Sequence, residues 1–587
     1  MNPILNEYKT VFGTVPFEEI KNEHFLPALD EGIRVGKENI EKIKNNTEAP
    51  TFENTIIALE NSSEILDKSA EVFFNLLSAE TNDEMQEIAK EFSPKLTAFG
   101  NDVGLDADLF LKVKAVWDNK DSMNLEAEDL KLLEKNYKSF VRNGALLNET
   151  QKEELRKIDE ELATAGLKFG DNNLKETNKF VMILDNESDL AGLPAGEVEA
   201  AALVAKEKGH EGKWAVTLDY PSLIPFMTYA ENRELRQRLY MANGSKSCKG
   251  DELDNKENIK KLSSLRHKRA TLLGYESHAH FTLEERMAAN PKTVTDFLED
   301  FLSKAKDQAK KEMEDLQEYV IKNGGPSDLQ NWDYAFWAEK LKKDKFSIDD
   351  EMLKPYFKLE NVIDGVFQVA NKLYGLSFKK NEEMQKYHKD VMTYEVLDES
   401  GRHIAAFYAD FFPRAGKRNG AWMTAYRGQS NVDGVEKRPH ISIVCNFTKP
   451  TETKPSLLTF NEVTTLFHEF GHALHGMLAD TKYESLSGTN VFWDFVELPS
   501  QILENWAYEK ECLDLFAKHY ETGEVIPSEL IQKIKDSATF HEGRATLRQI
   551  SFCLLDMAWH SGDTGNVTDP EKFEKLAMEP ANLLPSV

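Results

Sequence analysis

Cysteine is scarce: Cys248, Cys445, Cys512 and Cys553 are the only four in a chain of 587 residues. They are scattered and form no CxxC pair, which excludes a disulfide framework and a thiolate-bound zinc site and fits a reducing compartment. No stretch approaches the 18 or so apolar residues that a membrane-spanning helix requires. Residues 1–7 have neither the basic run nor the apolar run of a secretory leader, so a cytoplasmic protein is the expectation. Positive charge is short as well. Lys and Arg number 72 against 101 Asp and Glu, a net charge of −29, and a surface of that sign repels phosphate backbones and anionic lipid. Neither nucleic acid nor a membrane is therefore expected as a partner. Repeats of solenoid period and low-complexity tracts are also missing.

With 41% hydrophobic and 29% charged residues, the chain can bury a core, and its length exceeds a single ordinary domain. The first third reads as helix. Leu155, Ile158, Leu162, Ala165 and Phe169 recur at helical spacing, and Asn148 with Gln151 matches a capping box. Similar stripes run through residues 52–74 and 130–141. Short β-type runs are expected at 180–184 and 214–218. A strand-rich patch follows: 391–397 and 403–408 flank the turn signal Asp398-Glu399-Ser400-Gly401, and 440–446 is a further apolar run. Residues 413–420 read as a loop. A small sheet thus precedes the most informative segment of a mainly α protein.

That segment, residues 461–480, contains His468-Glu469-Phe470-Gly471-His472, an HExxH motif. On a helix, residues four apart are displaced by about 40° and ~6 Å along the axis, so the two imidazoles share a face and can converge on one ion. Glu469 is turned about 100° from His468, placed to take a proton from metal-bound water. Chance would give roughly 0.03 such matches in a chain with this histidine content. The flanking Val463, Leu466, Phe467, Phe470, Ala473, Leu474 and Met477 supply the helical period. His475, three residues on, is read as a packing or supporting histidine. The extended metzincin pattern fails, because positions 475 and 478 are His and Leu where Gly and His would be needed.

A catalytic zinc needs a third protein ligand and an open position. Glu497 lies 25 residues past His472, room enough for a loop and a returning helix. Two other readings stay open on spacing alone: Glu497 could complete a capping box with Asp494, and Glu504, two turns later, is a rival ligand. Glu462 is read either as support for the site or as a salt-bridged surface carboxylate.

The segments FHEFGHALHGML, SGTNVFWDFVELPSQILENW and PRAGKRNGAWMTAYRGQS together resemble the thimet-oligopeptidase family of zinc metallopeptidases, and most of all its bacterial peptidyl-dipeptidase branch. The resemblance covers the whole chain and is densest beyond Tyr356. It implies His468, His472 and Glu497 as ligands of one Zn2+ per chain and Glu469 as general base. It also implies two helical lobes flanking a deep substrate channel, an N-terminal lobe at 1–220 and a catalytic domain at 221–587, with short unfolded peptides as substrates of a monomer. Release of dipeptides from free C-termini is the expected activity, and endo-acting cleavage of oligopeptides is the alternative. Carboxylate recognition calls for a cation near the site, for which Arg414, Arg418, Arg427, Arg544 and Arg548 are candidates. The family resemblance further implies about a hundred residues beyond Val587, in the size range of a subdomain, bearing a Gly/Tyr-rich oxyanion-binding loop. A catalytically impaired peptide- or metal-binding fragment is accordingly the third expectation.

Overall fold

The computed structural model describes residues 2–584, so the chain end at Val587 lies outside the described residues. Helices dominate, and among the described residues none is long and apolar enough to cross a membrane. The capping box expected at Asn148 is present: its side chain accepts from the Gln151 amide and starts the 31-residue helix Glu149–Lys179. The stripe through 52–74 is not one helix. A turn at residues 61–63 separates Ala58–Glu60 from Glu64–Ala79.

Among the described residues, nine strands form three sheets. A two-stranded hairpin joins β1 (Val181–Leu184) to β2 (Trp214–Thr217). The main sheet comprises β3 (Ser377–Lys380), β4 (Met392–Leu397), β5 (His403–Asp410), β6 (Trp422–Arg427) and β9 (His440–Val444), in the order β3-β4-β5-β9-β6. A hairpin of β7 (Ser430–Val432) and β8 (Val435–Lys437) interrupts it. All pairings in the main sheet are antiparallel except the central one, β5 with β9. The turn between β4 and β5 is the one expected from Asp398 to Gly401. Asp398 Oδ1 accepts from the amides of Ser400 and Arg402, and Gly401 takes φ +84°.

The sequence reading did not include β3, β6, β7 or β8. β6 carries Trp, Thr and Tyr, all strand formers, but follows the Gly-rich loop so closely that the alternation is short.

The central strands explain their own composition. In β5, Phe407 and Ala409 join one core with Ile441, Ile443, Leu466, Phe467 and Phe470. Ala406 and Tyr408, on the opposite face, join a second core with Phe25, Phe73, Phe92 and Tyr426. A strand buried on both faces reads as a continuous apolar run with no alternation. The sheet is thus clamped between N-terminal helices and the helix Phe460–Met477, which carries the HExxH motif.

Candidate metal centre

The helix Phe460–Met477 starts at a complete capping box. Thr459 accepts from the Glu462 amide, and Glu462 Oε2 accepts from the Thr459 amide at 2.8 Å. The same carboxylate takes the Thr448 amide at 2.7 Å and the Thr448 hydroxyl at 3.0 Å. Glu462 is therefore a helix cap that ties down the loop after β9, and neither expected role for it holds. The apolar stripe from Val463 to Met477 is buried as the spacing predicts. Arg438 donates to the Met477 carbonyl at 3.0 Å and satisfies the far end.

Gly471, inside the motif, has a packing reason. A Cβ there would lie 2.6 Å from the Pro499 carbonyl oxygen and 2.6 Å from Ser500 Cα, so only glycine lets the short returning helix Leu498–Glu504 sit this close. Glu497 occupies the N-cap position of that helix. Asp494 does not share a capping box with it, because the Asp494 carboxylate accepts from the Met287 amide at 2.6 Å.

The result is a convergence of three donors. His468 Nε2 and His472 Nε2 each lie 3.2 Å from Glu497 Oε2, and the ligand atoms of His468, His472 and Glu497 all fall within 4.8 Å of one another. Ligand atoms around a tetrahedral ion with bonds of about 2.0–2.1 Å stand about 3.3 Å apart, so the donor set fits a divalent cation. Ser500 Oγ, fully buried, lies 2.8 Å from Glu497 Oε2 and helps to aim it.

Glu504 is not in the donor group. Its Oε1 sits 2.7 Å from His468 Nδ1, on the far side of the ring. A carboxylate there fixes the tautomer that leaves Nε2 free and raises the basicity of that nitrogen. The sequence reading weighed Glu504 only as a rival ligand. Its spacing of seven residues from Glu497, two turns on one face, was the available signal for a shared site but not for its side. His475 points elsewhere, toward Phe495 at 6.2 Å between ring centroids.

Glu469 is buried, and its Oε2 has no hydrogen-bond partner. Burial pushes its pKa up to about 7, with His468 opposing and the charges of Glu497 and Glu504 adding to the rise. Burial also lowers the pKa of His472, favouring the neutral imidazole that a metal requires. Two imidazoles and one half-exposed carboxylate can hold a cation while solvent fills the remaining position. An unsatisfied carboxylate beside it is poised near neutral pH for proton transfer.

The sequence pattern that defines Peptidase family M3 matches residues 226–582. The chain belongs to this family. As an M3 peptidase it is 37% identical to dipeptidyl carboxypeptidase of Escherichia coli (strain K12), over 100% of this chain and 86% of that protein. It is 34% identical to oligopeptidase A of the same organism, over 95% and 82% of the two chains. A solved structure of Pz peptidase A with an inhibitor shares the fold at a TM-score of 0.51 and 15% identity, covering 96% of this chain and 80% of that one. The M3 peptidases are metallopeptidases, and the mainly α fold expected from the sequence is the one observed.

Proposed function

We propose that this M3 peptidase is zinc-dependent and releases dipeptides from the free C-termini of short unfolded peptides. The observation that carries the reading is the meeting of His468, His472 and Glu497 beside a buried, unpartnered Glu469. Zinc is favoured by a His/His/carboxylate donor set. Bound there, it would supply Lewis-acid polarisation of the scissile carbonyl and a more acidic water. Glu469 then accepts the water's proton at its free oxygen and returns it to the departing amine, with no covalent intermediate. His468 is held by Glu504 and Glu497 by Ser500, so neither needs to reorganise as charge develops. In this reading residues 1–220 and 221–587 form lobes on either side of a peptide-admitting channel.

The similarity to oligopeptidase A supports a second reading, endo-acting cleavage at the same centre. The two part on a single substrate pair: a peptide with a free C-terminus and its amide. Preference for the free acid is expected, and equal cleavage of both favours the endo reading. The metal assignment is tested by zinc content per chain. One zinc is expected in the unsubstituted protein, with loss of stoichiometric zinc in Glu497→Ala. Retained zinc in that variant would remove Glu497 from the donor set.

A further inference from the structure

Glu497 ends a segment of the chain that has few restraints. Upstream, Gly488 rests on the HExxH helix so closely that a Cβ there would lie 3.0 Å from Gly476 Cα. Downstream, Ser500 is fully buried. Between these two anchors, residues 491–495, 497 and 498 are exposed. The backbone closes two consecutive turns: the Phe495 amide donates to the Phe492 carbonyl and the Leu498 amide to the Phe495 carbonyl, both at 2.9 Å. Asp494 lies in the first turn and Glu497 in the second. The turns share Phe495, so a displacement of Asp494 carries Glu497 with it.

Among the described residues, one hydrogen bond joins residues 491–496 to a distant part of the chain. Asp494 Oδ2 accepts from the Met287 amide at 2.6 Å, across 207 positions of sequence. Two cations also lie over rings of the segment, Arg286 over Trp493 at 5.6 Å and Lys131 over Phe492 at 4.8 Å. Such contacts hold rings down without fixing a direction. A bond from a backbone N–H to a carboxylate is both directional and charge-assisted.

The point of attachment is itself well fixed. Met287 lies in the turn between the helices His278–Leu283 and Pro291–Lys322. The Arg286 amide donates to the Leu283 carbonyl and the Ala289 amide to the Arg286 carbonyl, each at 3.0 Å. Asn290 Oδ1 caps the longer helix by accepting from the Thr293 amide at 3.0 Å. Arg142 enters from the helix Ala127–Arg142, donating to the Phe281 carbonyl at 2.9 Å and pairing with Glu284.

We propose that Asp494 is a positioning residue for the metal centre: by holding residues 491–496 to the turn at Met287, its carboxylate sets where Glu497 stands relative to His468 and His472. The proposal rests on the reading of those three residues as the metal donors. Asp494 is not among the donors and acts through Glu497 alone. Ser500 orients the Glu497 carboxylate, and Asp494 places the backbone that bears it. The third ligand is thereby located by a turn that contributes no donor of its own.

Zinc affinity, measured by competition with chelators of graded strength, tests this without turnover. Asp494 and Met287 are both exposed, so substitution is expected to leave the melting temperature of the zinc-free protein unchanged. Asp494→Ala should weaken zinc binding about 5- to 10-fold. Asp494→Asn, whose Oδ1 can still accept from the Met287 amide, should keep most of the affinity. In a Glu497→Ala background, which binds zinc more weakly from the start, adding Asp494→Ala should cause no further loss, because no ligand is left to position. Unchanged affinity in Asp494→Ala overturns the proposal and leaves Glu497 in the donor set. An equal fold-loss with and without Glu497 also overturns it, by showing an effect that does not pass through Glu497. So does an Asn variant as weak as the Ala variant, since the charge and not the hold on the amide would then be at work. Zinc affinity indifferent to Glu497→Ala defeats the donor reading itself, and this proposal with it.

Discussion

Two buried carboxylates, Glu469 and Asp410, flank the thiol of Cys445 closely enough that both act on it electrostatically, yet they are built in opposite ways. Asp410 accepts four hydrogen bonds, two from Arg414, one from Lys417 at 2.9 Å and one from the Tyr387 hydroxyl at 2.8 Å. Burial alone would raise its pKa, but Arg414 and Lys417 outweigh burial and hold it below the usual value. Glu469, also buried, keeps one oxygen unpartnered and a pKa raised to about 7. A satisfied buried charge fixes the fold, here by pinning the loop after β5 to the N-terminal helices. An unsatisfied one is a cost to folding, which in the proposed reading the fold carries for chemistry.

Removing each carboxylate should therefore break a different property. Glu469→Gln preserves shape and is expected to lower peptide hydrolysis by about 10²–10⁴-fold, with zinc content unchanged and melting temperature equal or higher. A variant that stays active would end the general-base role. Asp410→Ala leaves Arg414 and Lys417 buried without their anion. A loss of about 3–5 kcal/mol in denaturant unfolding is expected, with zinc content per folded chain retained. A stability change near zero would mean that the hub contributes nothing. Between these extremes lies Glu504→Gln, which keeps the size of the group behind His468 but removes its charge. Zinc affinity should fall about 10- to 100-fold in competition with a chelator. An unchanged affinity would reduce Glu504 to a bystander.

The same contrast separates what the sequence showed from what it hid. The HExxH helix was legible because its period and its reactive residues all lie within some twenty positions. Asn148 and Gln151 were legible for the same reason. On spacing alone Glu497 was legible only as one of several acids, since nothing local distinguishes a ligand from a cap, and only the family resemblance singled it out; what brings it to the histidines is Gly471, whose missing side chain lets the helix after Glu497 come into contact. Glu462 misled because a capping box places a glutamate where a supporting carboxylate could also stand. The Asp410 hub was not legible at all. Its partners are Glu80 through Arg414, and Tyr387, 330 and 23 residues away respectively, and a lysine seven residues on gives no pattern. Long-range satisfaction of charge leaves no periodic trace in a sequence. β6 was missed on shorter grounds, a six-residue edge strand beside a glycine-rich loop.

Glu71 offers the gentlest test of the difference between satisfied and unsatisfied acids. Burial, reinforced by Glu484 and Asp67, pushes its pKa up from 4.5 to about 8, so the folded chain keeps a proton there that the unfolded chain releases near pH 4.5. Across that window the folded state binds more protons, and stability falls as pH rises. Asp410 acts with the opposite sign: its stabilisation is present at neutral pH and disappears as pH falls through its lowered pKa. Glu71→Gln removes the first dependence and leaves the second. Relative to the unsubstituted protein, the variant's melting temperature should gain about 1–3 °C on going from pH 5 to pH 8.5, while both proteins lose stability in parallel below pH 4. A gap between the two melting curves that stays constant from pH 5 to 8.5 would show that Glu71 is ionised in the folded chain, and that the acid beside β6 is as well accommodated as Asp410.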